Sequence, residues 1–204
     1  HAAHAAIPAA IRALDDPHPR VRTRAVFALG NIGSLPEEAI LGLARSVADE
    51  NSRVRHEALL ALRELGRAAA AATPALVSRL SGTDWDDLWD DDEEDELIEI
   101  IETLGAIGSA TDEAAATMLR TILKNEEAPF ACRCAAALAL WRVGGDAGKA
   151  ATALRELAKD GLPRSLRAKL DAGEVPAVIV ENLQRIAGGK RRLARQTLFR
   201  MGAT

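Results

Sequence analysis

The chain has 204 residues, a formal net charge of −4, 3% aromatic residues and no tyrosine. It has no apolar run near the roughly 18–20 residues needed to cross a bilayer. Runs of β-branched and aromatic residues are also scarce, which argues against a sheet. Two cysteines that lie two residues apart do not make a disulfide framework. We therefore expect an all-α, cytoplasmic protein.

The first predicted element is a pair of helices within residues 1–34. The chain begins without methionine inside an alanine-rich stretch, so we expect a trimmed chain or a piece of a longer array. The second helix of the pair lies within residues 21–33. Its apolar residues recur at helical spacing and predict a buried stripe. These residues are Val21, Ala25, Phe27–Leu29 and Ile32.

The same pattern returns 33 residues later as residues 54–66, and again as residues 132–144. Self-similarity of this kind indicates stacked helical pairs that form one domain over residues 1–204. The predicted pairs span residues 1–34, 35–70, 71–109, 110–145, 146–173 and 174–204. Their first helices are expected at about 4–14, 36–48, 73–81, 111–124, 146–159 and 175–187. Glycines that end the second helices are expected in the left-handed conformation; they are Gly33, Gly66, Gly108, Gly144 and Gly202.

An acidic residue precedes an arginine by six or seven positions at most of these junctions. A carboxylate in the turn and an arginine one turn into the second helix can pair along the stack, from repeat to repeat. Such pairs set register more than they add stability. The predicted ladder consists of Asp16 and Arg22, Asp49 and Arg55, Glu127 and Arg133, and Asp160 and Arg167.

This pattern resembles HEAT repeats, especially the short HEAT-like kind seen in phycobilisome lyases. The resemblance is carried by residues 15–22, followed by Ala25, by Ala28-Leu29-Gly30 and by Ile32-Gly33. It covers nearly the whole chain, although the third, fifth and sixth copies match loosely. The resemblance implies a right-handed α-solenoid of about six helical pairs, with the second helices lining a concave face. The fold alone does not name a function.

The third pair is interrupted by an acidic segment. Residues 84–102 carry 12 acidic side chains and no basic one. We place the insert at residues 82–96 and expect the second helix to resume at Leu97. A run of acids is usually a solvated loop, but Trp85, Leu88 and Trp89 would form one apolar edge of a helical turn. Such a segment suits docking to a basic groove; alternatively, both tryptophans fold back and cap the neighbouring repeat.

The sharpest enzymatic signal is the dipeptide His56-Glu57. Deoxyhypusine hydroxylases look similar, since they have HEAT-like repeats whose His-Glu pairs jointly hold two irons. No second His-Glu pair exists in this chain, so we expect no metal or other cofactor and no catalytic residue. Cys132 and Cys134 point about 200° apart on a helix and cannot share a metal, and Cys132 is expected to have a buried apolar role.

The C-terminal end is basic and offers Arg191, Arg192 and Arg195 as possible phosphate contacts. HEAT-like alkylpurine DNA glycosylases are the relevant comparison, because they cradle DNA in a basic concave surface. The acidic insert would repel DNA, so nucleic acid is not the expected partner. A polar end cap of the solenoid accounts for the same arginines.

Together these features predict a non-catalytic scaffold or adaptor that binds a protein with a basic surface. A nucleic-acid-binding protein and a HEAT-like lyase or hydroxylase are the alternatives. Removal of residues 84–96 is expected to leave the repeats folded and to weaken partner binding. Alanine- and arginine-rich usage suggests a bacterial source. The candidate contacts are Arg20, Arg24, Arg53, His56, Arg63 and Arg142 on second helices, and Trp85, Asp86, Asp87, Leu88, Trp89 and Asp90 in the insert.

Overall fold

The computed structural model describes residues 5–85, 91–109 and 111–144, without the side chains of Asp91 and Phe130. This part of the chain is helical throughout. The first helices of the pairs are α1 (Ile7–Ala13), α3 (Glu37–Ser46), α5 (Thr73–Ser81) and α7 (Glu113–Lys124). The second helices are α2 (Pro19–Gly30), α4 (Ser52–Leu65), α6 (Asp91–Ile107) and α8 (Phe130–Gly144). A 3₁₀ segment, Gly66–Ala72, joins α4 to α5.

The helices form two layers. In one layer α2 packs on α4, α4 on α6 and α6 on α8, and in the other α1, α3, α5 and α7 follow each other in the same way. Each first helix also packs on its own second helix. The apolar stripes meet between the layers, where leucines such as Leu29, Leu62 and Leu104 are fully buried. The arrangement is an all-α stack of helical pairs, an α-solenoid, as the repeat pattern predicts.

The turns that precede second helices are built by short polar side chains. Asp16 accepts a hydrogen bond from the backbone N–H of His18 at 2.8 Å, directly before α2. Asp49 accepts one from the N–H of Asn51 at 2.9 Å in the same way. Asn51 is in turn the N-cap of α4, because its side chain accepts from the N–H groups of Arg53 and Val54. The two turns therefore present their aspartates in the same local geometry.

Small residues allow the second helices to approach closely. A Cβ atom built on Gly30 would lie 2.8 Å from the Cβ of Ala61, and one built on Gly105 would lie 2.6 Å from the Cβ of Ala139. Both distances are far below an ordinary contact between carbon atoms. In each case the glycine belongs to the earlier helix and the alanine to the later one. The same close contact thus recurs between α2 and α4 and between α6 and α8.

Two predictions about individual residues are wrong. Val21 and Phe27–Leu29 were expected in the buried stripe, but Val21 and Phe27 are 37% and 62% exposed, and Ala28 is exposed as well. Ala25, Val26 and Leu29 of the same helix are buried. The left-handed conformation was expected at every closing glycine, but within the described residues only Gly66 has a positive φ, of 55°. The other described helix ends are reached without it.

The start of α6 also differs from the prediction. The acidic run was assigned to an insert over residues 82–96, but α6 begins at Asp91. Its first turn and a half therefore consists of acidic residues, which are favourable at a helix N-terminus because they oppose the positive end of the helix dipole. No helix within the described ranges is both long and apolar enough to span a bilayer.

The close contact between α6 and α8 can be tested by adding a side chain to it. Replacement of Gly105 by valine would place atoms against both the Cβ and the backbone Cα of Ala139, which lie 2.6 and 2.7 Å from an ideal Cβ. We expect Gly105→Val to lower the free energy of unfolding by about 1–3 kcal/mol, the usual cost of overpacking, measured by urea denaturation. Gly33→Val is the control, since a Cβ at Gly33 meets nothing within 4 Å. Equal losses in both variants would contradict the argument.

Candidate interaction surface

Arg22 links the first two helical pairs. Its Nη1 donates to the backbone carbonyls of Asp16 and Pro17, in the turn of its own pair, at 3.0 and 3.2 Å. Its Nε and Nη2 each donate to Asp49, in the turn of the next pair, at 2.7 Å. Nη2 also reaches Glu50 at 3.1 Å. One buried guanidinium therefore satisfies two carbonyl oxygens and binds the following repeat in a two-pronged, charge-assisted contact.

Arg55 binds carbonyl oxygens of its own turn as Arg22 does, but the carboxylate that it binds lies in a different kind of element. Its Nη1 donates to the carbonyls of Asp49 and Glu50 at 2.9 and 3.2 Å. Its Nε and Nη2 donate to the carboxylate of Glu96 at 2.9 and 2.6 Å. Arg79 of α5 lies 3.5 Å from the other oxygen of Glu96. The acid now comes from the helix α6 and not from a turn, so Glu96 joins α4, α5 and α6.

Two further ion pairs lie along the contact between α4 and α6. The Nδ1 of His56 is 2.8 Å from an oxygen of Glu99, and Arg63 donates to Glu102 at 3.0 Å. Glu96, Glu99 and Glu102 are spaced by three residues, so they share one face of α6. The sequence analysis did not identify this row of glutamates as one face. Their spacing of three residues was the signal that could have revealed it.

The environment shifts the pKa values of two of these carboxyl groups in opposite directions. The hydrogen bond from Arg22 holds the pKa of Asp49 below its usual range, with help from the N–H of Asn51. Burial raises the pKa of Glu102, although the nearby charges of Arg63 and Arg142 offset part of this effect. The contact with Arg22 thus stabilises the ionised form of Asp49, whereas burial destabilises the ionised form of Glu102.

An open cleft of about 160 Å³ lies at the N-terminal ends of α4 and α6. Its lining contains four carboxyl groups, one hydroxyl and one imidazole. Glu96 pairs with Arg55 and Arg79, and Glu99 pairs with His56, which carries a charge only when it is protonated. Acidic side chains make up four of the six residues in the lining. Its lining residues are Ser52, His56, Asp92, Asp95, Glu96 and Glu99.

The predicted contact residues on second helices are spread along the stack. Arg20, Arg24 and Arg53 are exposed, while Arg63 is engaged with Glu102 and Arg142 is half-buried beside it. Among the predicted contact residues that the structure describes, His56 lines the cleft.

The later acid–arginine pairs of the predicted ladder differ from the first pair. Glu127 and Arg133 are both described and do not pair with each other; Arg133 donates to the backbone carbonyl of Leu123 at 3.3 Å. The rung formed by Asp160 and Arg167 lies outside the described residues. So do the possible phosphate contacts Arg191, Arg192 and Arg195.

The described part of the acidic segment is anchored to the fold. Trp85 is half-buried and packs against the core, as the capping interpretation predicts for this residue. Glu94 is buried and Glu96 is held by Arg55. Removal of residues 84–96, which was expected to leave the repeats folded, would therefore cut into α6 and its main ion pair. The candidate contacts Asp86, Asp87, Leu88, Trp89 and Asp90 lie outside the described residues.

Comparison with known protein families agrees with this architecture. A family model of HEAT repeats matches residues 7–90, which contain the turns, arginines and small-residue contact of the first two pairs. Residues 7–90 of this chain are therefore similar to HEAT repeats.

The chain is also similar to a curated protein, a deoxyhypusine hydroxylase from Chaetomium globosum. The two are 34% identical over an alignment of 114 residues, and this alignment covers 52% of the present chain. The match spans 29% of the hydroxylase, so most of that protein has no counterpart in it. Similarity over so small a part of the hydroxylase does not by itself assign functions to individual residues of this chain.

The residues around His56 do not fit a pair of irons. His56 faces Glu99 alone at hydrogen-bond distance, and nothing among the described residues brings three His, Cys, Asp or Glu side chains together in a way that could hold a metal ion. The two thiols are also unsuited to chemistry, since Cys132 and Cys134 are both buried. Burial raises the pKa of Cys134 to about 12, so this thiol stays protonated at neutral pH.

The pKa of Asp49 leads to a pH-dependent prediction. A carboxyl group whose pKa is lowered in the folded state contributes stability above its unfolded pKa of about 3.9, and this contribution is lost as the pH falls through the folded value. Asp49→Asn keeps an acceptor for the N–H of Asn51 but removes the charge that faces Arg22. We expect the variant to melt at a lower temperature than the native chain at pH 7. The difference should shrink in thermal melts recorded toward pH 2, and a difference independent of pH would exclude the ionic contribution.

Glu102 is expected to behave in the opposite way. Because its folded pKa is raised, the folded state binds a proton more tightly than the unfolded state, so ionisation of Glu102 lowers stability as the pH rises from about 4.3 through the folded value. Glu102→Gln removes this dependence, and we expect it to be at least as stable as the native chain at pH 7. Melts of both proteins between pH 4 and pH 8 measure the change. A clear loss of stability in the variant at pH 7 would show that the ion pair with Arg63 outweighs the effect of burial.

Proposed function

We propose that this protein is a non-catalytic scaffold that binds a basic segment of another protein in the acidic cleft between α4 and α6. The observation that carries the proposal is that carboxyl groups form most of the lining of an open cleft. Asp92, Asp95 and Glu99 line it together with a single imidazole. A lysine or arginine side chain of a partner would replace solvent there and meet charges of opposite sign.

The stacked fold supports this kind of binding. Neighbouring pairs are held by charge-assisted hydrogen bonds and by close helix contacts, so the cleft exists before the partner arrives. A preformed surface needs little ordering when it binds, and this favours affinity. Charges of this kind contribute mainly to the rate of encounter and to the choice of partner.

A nucleic acid is disfavoured at this cleft, because its phosphates would be repelled by the carboxylates. The basic C-terminal arginines remain the feature that would favour nucleic acid, and the experiment below separates the two cases.

The proposal can be tested with two variants that change charge equally. Asp92→Lys with Glu93→Lys alters exposed residues in the first turn of α6, at the cleft. Glu37→Lys with Glu38→Lys alters exposed residues in the first turn of α3, in the other layer. Both variants place lysines at a helix N-terminus, so their cost through the helix dipole is matched.

The native chain and both variants are used as affinity baits in lysate of the source organism, with nuclease present. We expect a protein that is retained by the native chain and by the Glu37/Glu38 variant, and that is lost with the Asp92/Glu93 variant and at high salt. Equal retention by both variants would show that the cleft is not the binding site. Material that is recovered only without nuclease would favour the nucleic-acid alternative.

An enzyme is the second candidate, and the similarity to a deoxyhypusine hydroxylase favours it over other enzymes. We expect the purified chain to hold no stoichiometric iron, because the described residues lack a cluster of ligands. Metal analysis of the native chain and of His56→Ala measures this directly. Iron bound in a fixed ratio and lost with His56→Ala would replace the scaffold proposal with the hydroxylase one.

A further inference from the structure

The exposed side of α2 corresponds to positions that contact the preceding second helix in α4, α6 and α8. Superposition of the repeat pattern places Val21, Arg24, Phe27 and Ala28 at the positions of Cys132, Ala135, Leu138 and Ala139 in α8. All four α8 residues are buried, and Ala139 contacts Gly105 of α6. Leu138 is 5% exposed, whereas Phe27 is 62% exposed.

The other two junctions show the same geometry. In α4 the position of Ala28 is held by Ala61, which contacts Gly30 of α2. In α6 the positions of Val21, Arg24 and Phe27 are held by Glu96, Glu99 and Glu102, and all three glutamates pair with side chains of α4. In each contact between successive second helices, residues at these positions belong to the later helix and touch the earlier one.

The turn before α2 offers an independent sign of the same interface. Asp16 and Asp49 occupy equivalent turns and accept the same N–H hydrogen bond, at 2.8 and 2.9 Å. Asp49 also binds the arginine of the preceding pair, at 2.7 Å. Within the described ranges no arginine pairs with Asp16 in the way that Arg22 pairs with Asp49. Asp16 is therefore placed to accept an arginine from a preceding helical pair.

We propose that Asp16 and the exposed side of α2 receive the second helix of a further HEAT-like helical pair, continuous with this stack. The occupant carries an arginine that reaches Asp16, a glycine or alanine opposite Ala28, and apolar side chains against Val21 and Phe27. A second copy of this chain paired symmetrically through α2 fits less well, because it would bring two copies of the exposed Arg24 together. The inference rests on the repeat geometry and does not depend on the proposed function.

The test adds such a helical pair to the chain. A copy of residues 1–33 is placed directly ahead of residue 1, so that the added Arg22 and Gly30 precede the original α2 by the native repeat spacing. The readouts are the urea midpoint and the hydrogen exchange of α2 amides. We expect a higher urea midpoint and about tenfold slower amide exchange in the original α2, because a helix at the end of the stack opens more readily than one with neighbours on both sides.

Three substitutions show whether the gain comes from the proposed contacts. Arg22→Ala or Gly30→Val in the added copy, and Phe27→Asp in the original α2, should each remove most of it. Leu41→Asp is the control, since Leu41 is an exposed apolar residue of α3, outside this face. It should leave the gain unchanged.

Two sets of results would overturn the proposal. One is an added copy that leaves α2 exchange unchanged, or a gain that survives Phe27→Asp. The other comes from sedimentation of the unextended chain, where a dimer that dissociates with Phe27→Asp would identify a second copy as the occupant.

Discussion

The arginine near the start of α2 and of α4 is the interaction that aligns the first three helical pairs. Arg22 and Arg55 each bind two carbonyl oxygens of their own turn and a carboxylate of the next repeat. A helical pair cannot slide along its neighbour without breaking both sets of bonds. A charged group removed from water in this way adds little net stability, but it strongly disfavours arrangements in which it loses its partners. The ladder therefore acts on register more than on total stability.

The close contacts of small residues occur with and without such an arginine. Gly30 meets Ala61 where Arg22 links α2 to the next pair, whereas Gly105 meets Ala139 although α6 has Leu97 in place of the arginine. At the junction of α4 and α6 the glycine is replaced by Arg63, and the alanine by Thr103. This junction is closed by ion pairs in place of backbone proximity. The stack thus uses two chemically different joints within one fold.

The sequence was sufficient to predict the helical pairs, the first helices at 36–48 and 73–81, and the importance of Arg22 and Arg55. Periodicity and repeated turn residues carry this information because they are local. The partners of Arg55 and His56 were not predictable in the same way. Glu96 and Glu99 lie more than forty residues further on, and only the stack brings them close. The exposure of Phe27 was missed for a related reason: a repeat pattern does not show whether a given face has a neighbour.

Charged contacts fix α6 against two neighbouring helices. Glu96 is held from two sides at once, by Arg55 of α4 and by Arg79 of α5. A binding surface made of carboxylates and a joint that requires them can therefore share one helix, because α6 turns Glu96 and Glu102 toward α4 and leaves Asp92 and Glu93 exposed.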